Sequence, residues 1–321
     1  MKYKKINGTN LSSSAVILGT DGIGSVISEK ESFNILDNFC CLGGNHIDTA
    51  NIYGYPTSES EKTIGKWLKS HGGREHLVIA TKGAHPNLKT MDIPRLSEKE
   101  IRYDLENSLK NLGTDYIDLY WLHRDCEDLS CEEIIETLNK FVREGKIREF
   151  GASNWKGKRI KQANEYAVKN GLKPFCASQI KWSYATVSSS YEEDKTLVLM
   201  DKTEYEFYKD AELSVMAYAS QAKGFFTKLY TMGEEGLSPK AMQRYMCGDN
   251  INRYNIAGDI AKKLGISITD VILNYLLKQE INTFPIIGCK NTQQLQDSMT
   301  STEADIPEED IKTLLAEGNK F

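Results

Sequence analysis

The apolar positions change their period repeatedly along the chain. In "LSEKEIRYDLENSLKNLG", Ile101, Leu105, Leu109 and Leu112 recur on one helical face, and the following "DYIDLYWLH" is an apolar and aromatic run of strand length. Ser97, with Glu100 three residues on, predicts a capping box at the helix start, and Gly113 its stop. The plan then repeats. Ser130 with Glu133 opens "CEEIIETLNKFVRE", Gly145 closes it, and "KIREFGAS" is the next strand. "ESFNILDNFCCLGG" precedes "NHIDTA", "ESEKTIGKWLKSHG" precedes "HLVIATK", and "GKRIKQANEYAVKNG" precedes "FCASQIKW". Further on, the strand "ELSVMAYAS", the helix "DVILNYLLKQE" and the strand "INTFPIIG" follow. With "AVILGT" at the start, about eight strands alternate with helices, which predicts a parallel sheet.

Eight such units in 321 residues fit a (β/α)8 TIM barrel, read as one domain over residues 1–321, because no Pro- or Ser-rich linker divides the chain. A doubly wound sheet would carry G-x-G-x-x-G after its first strand, and "GTDGIG" has the wrong spacing. The Asn-Gly in "KKINGTNLS" predicts a β-hairpin ahead of the first barrel strand.

Composition narrows the function classes. A net charge of −5 gives no electrostatic footprint for nucleic acid. No apolar run of about 18 residues occurs, so no membrane span is expected, and no signal peptide is visible at the N-terminus. The seven cysteines are scattered without C-x-x-C, which suits reduced thiols and a cytoplasmic location.

Active sites of such barrels form at the C-terminal ends of the strands. There the chain places Asp48, Lys82, His123, Ser153 with Asn154, Gln179 and Tyr218, on the second to seventh strands in turn. Lys82 follows "LVIAT", where an unpaired charge would cost several kcal/mol, and Asp48 on the adjacent strand is its partner. Tyr53, five residues past Asp48, has no use in a plain turn. A phenol with a pKa of about 10 is a poor acid, but a neighbouring ammonium lowers that value towards the working range. His123 would orient a carbonyl oxygen beside the phenol, a set that suits protonating an oxygen as hydride reaches its carbon. Side chains do not supply hydride, so a nicotinamide cofactor is implied.

The chain closely resembles the aldo-keto reductase family. The resemblance rests on "DTANIYG", "LENSLKNLGTDYIDLYWLH", "GKIREFGASNW", "AYASQAKGFFTKL" and "PIIGCKNTQQLQDS", in order from residue 14 to about 300. It implies a catalytic tetrad of Asp48, Tyr53, Lys82 and His123, with Tyr53 the proton donor to a small-molecule carbonyl. It implies that Ser153, Asn154 and Gln179 hold the nicotinamide carboxamide while Tyr218 stacks on the ring. It also implies that Gly288, Lys290 and Gln294 lie on the phosphate side of NADPH/NADP+, with NADH an alternative. The chain departs from the family pattern at Trp182–Ser183, where Tyr-Ser is common, at "ASQA", where Ser-Pro-Leu is common, and at Lys290, where arginine is frequent.

Trp121, two residues before His123, is expected to face the barrel interior with it, and Trp155, Trp182 and Tyr184 to lie near the mouth. These rings, with donors and acceptors from "SYATVSSSYEEDK" and "RDCEDLS", point to a hydroxyl-bearing, sugar-derived carbonyl. Two alternatives stand beside this reading. His46, Asp48, His123 and a carbamylated Lys82 could hold a metal in a barrel hydrolase. The chain could also be a non-catalytic, cofactor-binding regulatory subunit.

Overall fold

The computed structural model describes residues 1–321. A short antiparallel pair, β1 (Tyr3–Lys5) and β2 (Ser12–Ser14), precedes eight parallel strands. These are β3 (Ile17–Gly19), β4 (His46–Asp48), β5 (Val78–Gly83), β6 (Ile117–Leu122), β7 (Ile147–Ser153), β8 (Ala177–Lys181), β9 (Ser214–Tyr218) and β10 (Thr283–Ile287). Each pairs with its successor and β10 pairs with β3, so the sheet closes on itself as a barrel. The predicted (β/α)8 barrel and hairpin are present. The hairpin is looser than an Asn-Gly two-residue turn, however. Residues 6–11 separate its strands, and the turn is closed by the Ile6 N–H donating to the Leu11 carbonyl at 3.0 Å.

The hairpin seals the bottom of the barrel. Ile6 and Leu11 join the inner residues Ile17, Ala80, Leu119, Trp121, Ala177, Met216, Phe284 and Ile286 in one buried cluster. The Asn7 N–H bonds Ser214 Oγ at 2.9 Å and Lys4 Nζ bonds the Thr283 carbonyl at 2.6 Å, both at the first residues of barrel strands. Within the barrel, Trp121 opposes Gly151 on the next strand, and its ring occupies the space where a side chain at 151 would stand, 2.3 Å from that Cβ position.

The outer layer begins with α1 (Glu29–Cys41), α2 (Glu59–His71), α3 (Glu98–Leu112), α4 (Cys131–Arg143), α5 (Gly157–Lys169) and α6 (Lys202–Asp210). Ser97 and Glu100 form the full capping box of α3, and Gly113 ends it in the left-handed region at φ 63°. Between β9 and β10 the sequence predicted one helix, but four are present: α7 (Phe225–Met232), α8 (Pro239–Tyr245), α9 (Gly248–Leu264) and α10 (Ile268–Leu277). Two more, α11 (Thr292–Met299) and α12 (Glu308–Gly318), follow β10. The inward face of α9 carries Asn250 and Arg253 in its first half and Ala257, Ile260 and Ala261 in its second, so its apolar stripe is short. The Arg253 guanidinium donates to the carbonyls of Tyr184, Glu317, Gly318 and Lys320, tying the C-terminus to the barrel wall.

Candidate active site

At the mouth, β4 ends in Asp48 and β5 carries Lys82 one residue before its end, both almost wholly buried. Burying two charges is tolerable because they meet: Lys82 Nζ lies 2.5 Å from Asp48 Oδ2. Lys82 also donates to the Thr49 carbonyl at 2.7 Å, and Gln179 Nε2 donates to Asp48 Oδ1 at 3.0 Å. The turn after β4 brings Tyr53 back over this pair, with Lys82 Nζ 4.9 Å from its ring centroid and interacting with its hydroxyl. His123, directly after β6, sets its ring edge-on to Tyr53 with centroids 6.0 Å apart. The four expected side chains therefore converge.

Their electrostatics differ from the expectation in one respect. Burial pushes the Tyr53 phenol above its ordinary value; Lys82 pulls it down, but Asp48 and Asp21 add to the rise. The lysine thus limits a penalty and does not produce a net depression. The phenol is protonated at neutral pH, the state a proton donor requires. Burial by itself would lower the Lys82 ammonium, but Asp48 and Tyr53 together hold it above its ordinary value. Burial, helped by Arg124, Lys82 and His85, keeps His123 well below 6.5, so the imidazole is neutral. Its Nδ1 is buried without a partner.

The residues expected to hold a nicotinamide gather beside this set. Ser153 ends β7; Gln179 lies two residues inside β8 and not at its end. Asn154 sits at φ 57°, a left-handed conformation that asparagine tolerates better than most residues. Its amide is already engaged, donating to the His123 carbonyl (3.3 Å) and Ser153 Oγ (3.1 Å) and accepting from Tyr218 Oη (2.7 Å) and the Val198 N–H (3.2 Å). What remains free is the Ser153 hydroxyl proton and Gln179 Oε1, one donor and one acceptor. That pair matches the oxygen and nitrogen of a carboxamide, so the site fits the group. Beyond β10, Lys290 is exposed and without an ion pair, its N–H bonded to Gln294 Oε1 at 3.0 Å. Asn291 caps α11 next to it by accepting from the Gln294 N–H. A Cβ added at Gly288 would meet only open space.

The comparisons with known proteins bear on the family and the fold. The model of the Aldo/keto reductase family matches residues 15–316. The chain belongs to the aldo/keto reductase family. Among its relatives, the uncharacterized oxidoreductase YrpG of Bacillus subtilis is 32% identical over 98% of this chain and 95% of its own length. The norsolorinic acid reductase stcV of Emericella nidulans is 30% identical over 89% of this chain and 71% of its own. A solved thermostable aldo-keto reductase, crystallised with the inhibitor epalrestat, superposes with a TM-score of 0.76 at 26% identity, covering 99% of this chain and 100% of that one. Like its relatives, this aldo/keto reductase is an oxidoreductase whose family acts on small-molecule carbonyls. No group of three His, Cys, Asp or Glu side chains is placed to hold a metal ion; His46 instead pairs at 2.8 Å with Ser13.

The aromatic residues expected around the substrate of this aldo/keto reductase are packed into its interior and walls. Trp121 is enclosed in the barrel interior. Trp155 packs edge-on to Phe175 and donates to the Arg124 carbonyl at 3.2 Å. Trp182 donates to Tyr275 Oη at 3.0 Å, and Tyr184 is closed in by Phe226 and Tyr275. All four are buried. Closeness to a strand end in sequence does not tell whether a ring turns to the mouth or under the helices. Of the polar residues that stand beside His123, Arg124 opens the segment "RDCEDLS" expected to supply donors and acceptors, while His85 was not anticipated. His85 lies with its ring 4.7 Å from the His123 ring, and Arg124 Nη1 donates to the His123 carbonyl at 3.0 Å. For His85, its place three residues past Lys82 after the third barrel strand was the available sequence signal.

Proposed function

We propose that the whole chain, residues 1–321, is one catalytic unit that reduces an aldehyde or ketone with a reduced nicotinamide cofactor, Tyr53 giving the proton. The observation that carries this reading is the protonated Tyr53 phenol held against the buried Lys82–Asp48 pair beside a neutral His123. The cofactor supplies hydride when bound. The chain's own residues do the rest. Ser153 Oγ–H and Gln179 Oε1 orient the carboxamide, and Tyr218 offers a ring face. His123, neutral, directs a ring nitrogen at the carbonyl oxygen without drawing the proton to itself. Tyr53 transfers its proton to that oxygen, and the Lys82 ammonium stabilises the phenolate left behind. Asp48 and the Thr49 carbonyl hold Lys82 charged and in place.

We assign NADPH as the preferred cofactor because the exposed Lys290 has no partner of its own at the start of α11, where a 2′-phosphate would find both a cation and a helix N-terminus. We place the enzyme in the cytoplasm, since its seven cysteines stay unpaired and no helix is long and apolar enough to cross a membrane. The test is a panel of aldehydes and ketones offered with NADPH and, separately, NADH, following loss of the reduced-nicotinamide absorbance. Turnover with at least one carbonyl is expected. A chain that binds the cofactor and turns over nothing in the panel is a binding subunit, and the proposal fails.

A further inference from the structure

Three polar side chains at the mouth belong neither to the tetrad nor to the nicotinamide cradle: His85, Arg124 and Asp194. Arg124 is fixed by two of its nitrogens, Nη1 on the His123 carbonyl at 3.0 Å and Nε on Thr196 Oγ1 at 2.9 Å. Its third, Nη2, has only Asp194 Oδ2 at 3.8 Å, too far for a hydrogen bond. Asp194 is itself fixed through Oδ1, which accepts from the Thr196 N–H at 2.9 Å and its hydroxyl at 2.7 Å. A donor and an acceptor thus face each other across a gap, each held from behind and each with capacity left.

His85 adds a second acceptor. Its Nδ1 stands 2.6 Å from the Pro86 carbonyl, which can only accept, so Nδ1 carries the proton and Nε2 presents a lone pair. Burial keeps this imidazole below its ordinary value, hence neutral. Charge in the mouth is balanced as well, Lys82 by Asp48 and Arg124 by Asp194. An anionic substrate would gain from Arg124 and lose to Asp194. An apolar one would displace water from Nη2, Oδ2 and Nε2 and return no hydrogen bond. A hydroxyl both donates and accepts, and it can bridge the gap.

We propose that Arg124, Asp194 and His85 form a hydroxyl-recognising subsite, and that the substrate is a neutral carbonyl compound with hydroxyls on the carbons next to the carbonyl. This rests on the carbonyl-reductase reading and restores the sugar-like substrate on grounds other than aromatic walls. The rival role for Arg124 is purely structural, tying residues 194–196 to the rim.

The test uses the full chain with glyceraldehyde and propanal, which differ only by two hydroxyls. The parent is expected to favour glyceraldehyde in kcat/KM by about tenfold or more, and Arg124→Met and His85→Phe should each lower that ratio by about tenfold, through KM. A parent that favours propanal or treats the two alike overturns the subsite, as does a ratio unchanged in Arg124→Met, which would leave only the structural role. Failure to turn over any carbonyl counts against the reductase reading instead. The subsite is then decided by fluorescence titration of parent and Arg124→Met with ribitol, where absent or equal binding overturns it.

Discussion

Two buried aspartates on this barrel have quite different surroundings. Asp118, near the start of β6, is closed on both oxygens. Arg74 Nη1 lies 2.7 Å from Oδ2, Arg148 Nη1 2.9 Å from Oδ1, and the Ile79 N–H donates to Oδ2 at 3.0 Å. The two guanidinium groups sandwich the Tyr116 ring at 4.2 and 4.1 Å. Asp48, at the other end of the barrel, is as well bonded, but its partner Lys82 passes the charge on to a phenol, and beside it His123 keeps a nitrogen without a partner. The first network ends in itself; the second ends on groups that can change their protonation. A buried ion pair by itself signals neither stability nor chemistry. What its cation touches next does.

The comparison breaks most visibly at Tyr53. Tyr53→Phe keeps the ring and removes only the transferable proton, so carbonyl turnover should fall by about 10²–10⁴-fold while cofactor binding and thermal stability stay near the parent's. A variant within threefold of parental turnover would remove Tyr53 as the acid. At the other end, Asp118→Ala should cost about 3 kcal/mol of folding stability by denaturant titration, since it leaves two guanidinium groups without their acid. Turnover of the folded fraction should be unchanged; a large loss of turnover would erase the distinction between the two ends.

A third buried group sharpens it through pH. Burial, and then Lys82, hold His46 down to about 3. Since the unfolded chain takes up this proton first, stability conferred by the neutral imidazole is full above the ordinary value of 6.5 and is lost as pH falls below it. The slope from this residue is about 1.4 kcal/mol per pH unit. His46→Gln should flatten the stability–pH curve by that amount between about pH 6 and pH 5. An identical slope in parent and variant would show that His46 does not titrate on unfolding. The smallest effect is expected at the exposed Lys290. Lys290→Ala should weaken NADPH binding by about tenfold and leave NADH binding as it was, because a flexible point charge lacks arginine's fork. Equal losses for both cofactors would unseat the phosphate contact.

The barrel was legible because strand and helix periods alternate from β3 to β9, and chain order alone then places Asp48, Lys82 and His123 on neighbouring strands. Period-two alternation turned Trp121 inward, where it lies, but could not give its depth in the barrel. Trp155 and Trp182 follow their strands, where no period applies. The α9 helix escaped notice because its buried face carries Arg253 and Asn250, which bond the carbonyls of Tyr184 and Thr186, far back in the chain. Arg124 and Asp194 lie 70 positions apart, and only the path of residues 182–201 across the rim brings them together.

The stopper of Ile6 and Leu11 has a consequence for proton traffic. Beneath Lys82 the barrel is filled mainly by Trp121, Met216, Phe284 and these two side chains, and the polar pair there, His46 with Ser13, is buried with its imidazole neutral. A tyrosine that gives its proton away in each cycle has to be recharged from above. In the proposed reaction its replenishment therefore shares the one opening with substrate and product, and the rate at which the enzyme resets depends on how quickly that opening is cleared.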